Sequence, residues 1–89
     1  MATYEVEFVK SAQKEFDRLP TKLQAKTAEA LSLLAQNPFS ELLKVKKLKD
    51  ADNLYRIRLG DYRVVYEIRN EQLIVLVIKI GHRREVYRR

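Results

Sequence analysis

Cysteine is absent from the chain, which excludes a disulfide framework and thiolate chemistry. A single histidine with no cysteine leaves too few ligands for a structural zinc site. Long hydrophobic runs are missing too. The longest, Leu73 to Ile78, is far short of the ~20 apolar residues that span a bilayer. The start, Met1 to Phe8, has neither a basic segment nor a long apolar one, so no leader peptide is expected. The expected location is therefore cytoplasmic, with no membrane partner. Glycine and proline are scarce, two of each, while 46% of residues are hydrophobic. That composition describes a folded domain, not a disordered tail. Residues 1–89 make one domain, long enough for a single core. No P-loop, dinucleotide fingerprint or His-Glu-x-x-His motif is present. The acidic residues are dispersed, and nothing marks an activated serine. No cofactor is implied.

What the chain does have is positive charge. Eighteen Lys and Arg stand against twelve Asp and Glu, a net charge of +6, with pI near 9.7. A polyanionic partner follows: nucleic acid, an acidic protein or an anionic surface. The charge is uneven. Lys44, Lys46, Lys47 and Lys49 form one cluster, and the ending from His82 to Arg89 holds four arginines. Either cluster alone is equally what a solvated surface looks like.

Thr3 to Val9 alternates, with Tyr4, Val6 and Phe8 on one face, and predicts a strand. Ser11 is a candidate N-cap for a helix through Leu19. Ala12, Phe16 and Leu19 form its apolar stripe. Pro20 ends it. Thr21 and Gln24 have capping-box spacing for a second helix, whose stripe is Leu23, Thr27, Ala30, Leu31 and Leu34. Asn37-Pro38 ends that helix. With almost no linker between them, the helices should form an antiparallel hairpin. Val45 to Leu48 is a candidate short strand. Leu73 to Ile80, after a turn at Asn70-Glu71, is apolar on both faces, as a central strand covered on both sides would be.

The stretch Asn53 to Ile68 reads as a β-hairpin around Gly60-Asp61, a two-residue turn whose glycine accepts positive φ. That turn pairs Leu59 with Tyr62, Ile57 with Val64 and Tyr55 with Tyr66 on one face. On the other face Arg58 stands across from Arg63, and Arg56 across from Val65. Like charges directly opposite each other destabilise a strand pair. Two accounts fit: a solvated face whose arginines lay their stems on the sheet, or a site for an anion. Three guanidinium groups on one patch favour the anion. The fold class is α+β, in the order β-α-α-β-β-β. An antiparallel sheet of about four strands carries the helix hairpin on its Tyr55/Ile57/Leu59 face, and the arginine face is open at one end.

With a turn at Asn70-Glu71, Arg63 faces Ile78, and parity carries His82 to the arginine face. A bulge or bend at Gly81 would reset that parity. The tail can then fold back to bring Arg83 or Tyr87 to the patch. Arginine forks hold phosphate in bidentate fashion, and tyrosine offers a stacking surface for an unpaired base. No helix carries a basic recognition face, so the pattern suits RNA better than a DNA major groove. Taken alone, His82 is equally a surface imidazole, and Tyr87 equally an apolar tether for the tail.

These residues carry a resemblance. Lys47-Leu48-Lys49, the hairpin Leu54-Tyr-Arg-Ile-Arg-Leu-Gly-Asp-Tyr-Arg-Val-Val-Tyr66 and the ending Ile80-Gly-His-Arg-Arg-Glu-Val-Tyr87 resemble the RelE/ParE superfamily of toxin–antitoxin toxins. The Gly-x-Arg…Val-Tyr ending is most similar to the RelE branch. The resemblance covers essentially the whole chain and implies a single RelE-like toxin domain. It implies a ribosome-dependent, metal-independent mRNA endonuclease acting in the ribosomal A site, where the ribose 2′-hydroxyl attacks the adjacent phosphate. By residue match it places Arg56 and Arg58 at catalytic basic positions. Arg63 and Arg83 fall at phosphate-contacting positions, Tyr87 at the base-stacking tyrosine, and Lys47 and Lys49 along the RNA path. It implies an antitoxin with an acidic, partly disordered wrapping segment, ribosome and mRNA as further partners, and contact with DNA only through the antitoxin.

The chain departs from the family where familiar members carry lysine and it carries Arg56 and Arg58. Arginine holds its proton, so these two supply charge, and Tyr87 is the candidate general base with His82 as the alternative. Two other functions remain open: a ParE-like inhibitor of DNA gyrase, and an inactive relative acting in an antitoxin–DNA repressor complex.

Overall fold

The computed structural model describes residues 3–48 and 53–82. Its elements are β1 (Glu5–Phe8), α1 (Lys10–Asp17), α2 (Thr21–Gln36), a 3-10 turn (Glu41–Leu43), β2 (Lys46–Lys47), β3 (Leu54–Leu59), β4 (Tyr62–Arg69) and β5 (Ile74–His82). The α+β class and the helix hairpin are as expected. The sheet has five strands in the order β1-β5-β4-β3-β2. β1 joins β5 in parallel, and the other neighbours are antiparallel. The sheet is thus mixed, one strand wider than the four expected. The hairpin of α1 and α2 between β1 and the rest serves as the crossover that a parallel pair needs.

Alternation in the strands decides which face the helices cover. Ile57, Val64, Tyr66, Ile68, Val75, Val77 and Ile80 point to one side and are buried with Ala12, Leu19, Ala30, Leu31 and Leu34 of the helical layer. No helix among the described residues is long and apolar enough to cross a membrane.

Two helix starts differ from expectation. Val9, not Ser11, precedes α1, and no side chain caps it. The Val9 amide still donates to Val77 O at 3.0 Å, so the strand pairing runs up to the helix and leaves no room for a separate cap. Pro20 precedes α2, with Thr21 already helical. Gln24 therefore does not close a capping box. Its Nε2 donates to Phe16 O at 3.1 Å and Asp17 O at 3.2 Å, carbonyls at the C-terminal end of α1. The side chain fastens one helix to the other.

Candidate active site

The turn at Gly60, with φ +63°, fixes the hairpin register as the alternation predicts. Leu59 pairs with Tyr62, Ile57 with Val64, Tyr55 with Tyr66, Arg58 with Arg63 and Arg56 with Val65. The three hairpin arginines do share the face away from the helices. On that face the sheet carries two basic rows. One runs Lys46, Arg56, Val65, Lys79 and the other Arg58, Arg63, Gly81, each residue directly across from the next. Facing side chains in such pairs have Cβ atoms about 4.5–5.5 Å apart, so Arg58 and Arg63 are held side by side by backbone alone.

Exposure falls from edge to centre. Arg58 is exposed, Arg56 half-buried, and Arg63 only 9% exposed. β4 is the middle strand, and Gly81 across from Arg63 adds no side chain beside it. A guanidinium sunk into a sheet face beside a second one suits a bound oxyanion, which would complement both forks.

Elsewhere the register departs from expectation. Arg63 faces Gly81, not Ile78. The turn after β4 is longer than Asn70-Glu71: Gln72 N bonds Arg69 O, Leu73 N bonds Asn70 O, and Leu73 takes φ +55°. A bulge then falls where Val65 pairs with Lys79 and Tyr66 with Val77, leaving Ile78 as the extra residue, three positions before the glycine expected to host it. Each extra residue in one strand inverts the parity beyond it. His82 therefore pairs with Tyr62, its ring 5.8 Å from the tyrosine ring at 75°, and stands on the Tyr62 face instead of the arginine face. Lys47 pairs with Tyr55 and also lies off the arginine face, whereas Lys46, across from Arg56, lies on it. Lys49, Arg83 and Tyr87 lie outside the described residues.

The edge of β5 is held from α1. Beyond Val77, β1 no longer pairs with it. There Glu15 Oε1 accepts from Ile80 N at 2.9 Å, and Oε2 accepts from Lys79 Nζ at 2.7 Å. One carboxylate pins the strand end next to the bulge and draws the Lys79 ammonium from the phosphate-holding set. On the helix side, burial and neighbouring Tyr55 push the Tyr66 phenol above the ordinary tyrosine range. Its hydroxyl donates to Pro38 O at 3.4 Å, so it serves the core and not the site.

A family model described as ParE toxin of type II toxin-antitoxin system, parDE, matches residues 6–87. The chain belongs to the RelE/ParE toxin superfamily. A RelE/ParE relative described as a putative toxin RelE1, from Methanocaldococcus jannaschii, is 33% identical over 86 residues, covering 96% of both chains. The mRNA interferase toxin RelE of Escherichia coli is 29% identical over 86 residues, 94% of this chain and 90% of that one. The RelE fold is shared with an archaeal RelE–RelB complex from Pyrococcus horikoshii, at TM-score 0.80 and 32% identity, over 91% of this chain and 96% of the other.

Proposed function

We propose that the chain is the toxin of a toxin–antitoxin pair and a ribosome-dependent endoribonuclease that cuts translated mRNA in the A site. One observation carries this: Arg58 and the buried Arg63 stand side by side on a sheet face, with Arg56 and Lys46 in the adjacent row. A cationic cluster of this kind is complementary to a phosphate whose charge increases during reaction. The E. coli relative described as an mRNA interferase supports the reading.

In the proposed step the ribose 2′-oxygen attacks phosphorus in line, the bond to the 5′-oxygen breaks, and a cyclic phosphate and a 5′-hydroxyl result. The 2′ proton passes to a general base, and a proton is returned to the leaving 5′-oxygen. Arg56, Arg58, Arg63 and Arg83 stabilise the phosphorane, whose equatorial oxygens gain charge. Arginines cannot act as the base. With His82 on the Tyr62 face, that role is assigned to Tyr87. The ribosome supplies the in-line alignment of the strand, and cleavage needs no metal ion. The site is placed in the cytoplasm with its substrate. Its antitoxin would offer an acidic segment that folds over the +6 toxin. The Pyrococcus relative was crystallised with RelB.

A second reading has one observation in its favour: the matching family model is described for ParE. A ParE-like chain would inhibit DNA gyrase without cutting RNA. Purified ribosomes programmed with a labelled message separate the two. The RNase reading expects cleavage only with ribosomes present, unaffected by chelator and lost in Arg63→Gln. Intact message beside inhibited gyrase supercoiling would support the second.

A further inference from the structure

Next to the arginine rows lies a groove that folding does not explain. It holds about 740 Å³ and runs from the Gly60-Asp61 turn past Arg58, Arg56 and Lys46 to Lys44 and Leu42 of the 3-10 turn. That volume is in the range of clefts that take a small organic ligand. Four cations border it against one carboxylate, Asp61. Leu42 is 81% exposed, the most exposed large apolar side chain among the described residues. Its position is fixed: Ser40 Oγ accepts from Leu42 N at 3.2 Å, and Lys44 N bonds Glu41 O at 3.3 Å. Lys44 itself takes the left-handed conformation, φ 50° and ψ 54°, which a long side chain seldom adopts without cause. A capped turn thus presents a leucine to solvent and holds a lysine in the left-handed region beside a cationic groove.

We propose that this groove is a second nucleotide subsite for single-stranded RNA. Lys44 and Lys46 hold the phosphate next to the scissile one, and the flanking base lies against Leu42. The proposal rests on the ribonuclease assignment above and extends it along the strand. Apolar side chains accept any base face, so the subsite gives grip and a modest preference for large bases rather than edge readout.

The test is ribosome-free binding of a fluorescein-labelled six-nucleotide RNA, read by anisotropy over a salt series. Asparagine tolerates the left-handed conformation, so Lys44→Asn with Lys46→Gln removes charge without straining the turn, and thermal melting checks the fold. The double variant is expected to bind about tenfold more weakly, with a log–log salt slope shallower by about 0.7, for the one phosphate the two lysines share. Leu42→Ser is expected to weaken binding several-fold with the slope unchanged. Affinity and slope at wild-type values in the folded double variant would overturn the subsite. So would wild-type protein that fails to bind the RNA at low salt, or Lys44 and Lys46 affecting only an acidic antitoxin peptide. If Arg58→Gln loses cleavage on ribosomes while the Lys44/Lys46 variant binds RNA normally, the subsite fails and the ribonuclease stands. If wild-type protein cuts nothing but the slope still falls in the variant, the groove stands and the ribonuclease fails.

Discussion

Arg58 offers a perturbation in which stability and activity should move apart. It is exposed and directly faces Arg63 across the β3–β4 pair. Like charges in that relation are destabilising, within a cross-strand scale of about 0.2–1 kcal/mol, and the exposure of Arg58 keeps the effect at the low end through solvent screening. Arg58→Gln removes the repulsion and retains a long polar side chain, so the urea midpoint should stay level or rise slightly. The same change removes one donor aimed at a phosphate gaining charge. Comparable losses cost about 10²–10³ in rate, about 2.7–4 kcal/mol of transition-state stabilisation. The paired assays are urea unfolding followed by circular dichroism, and single-turnover cleavage of ribosome-bound message. A stable but inactive Arg58→Gln agrees with the site. Arg58→Gln that loses more than about 1 kcal/mol of stability yet cleaves normally would show the arginine to be a structural residue outside the site.

Glu15→Ala removes the acceptor of Ile80 N and the Lys79 partner; it should cost about 1–3 kcal/mol and speed hydrogen exchange at Ile80, while Glu15→Gln keeps the amide contact and loses well under half of that. Leu34, fully buried in the core, should cost about 2–5 kcal/mol on truncation to Ala, read as a lower melting temperature. The raised Tyr66 phenol gives a pH dependence with a definite sign. An unfolded tyrosine ionises near pH 10 while the folded Tyr66 stays neutral, so its contribution is complete below pH 10 and is lost as pH rises above it. Tyr66→Phe should therefore flatten the alkaline fall in stability, and an unchanged fall would show that other groups drive it.

Strand alternation and one turn made the central hairpin legible in the sequence. Gly60-Asp61 admits only a two-residue connection, so the register from Tyr55 to Tyr66 followed without further information, and with it the three arginines on one face. The register beyond β4 was not legible. Asn70-Glu71 resembles a tight turn, but the chain uses two more residues and a left-handed Leu73. A bulge at Ile78 has no glycine or proline to announce it. The two extra turn residues slide the register without changing faces, and the one-residue bulge alone moves His82 to the other face. The place of Lys46 was hidden for a related reason: no two-residue turn joins Val45–Leu48 to the hairpin, so nothing local chose between Lys46 and Lys47. The helix stripes were legible because period 3.6 and burial agree. The roles of Ser11 and Gln24 were not, because both depend on tertiary neighbours: Val77 O holds Val9, and the carbonyl end of α1 captures Gln24.

The most direct test of the arginine face is a map of RNA 5′ ends after a controlled pulse of expression, using two reporter messages that differ only in a start codon. New 5′-hydroxyl ends should cluster inside the translated frame, absent from the untranslated twin and absent with Arg63→Gln or Arg83→Ala. Intact messages in arrested cells, or equal cutting of both reporters, would contradict it.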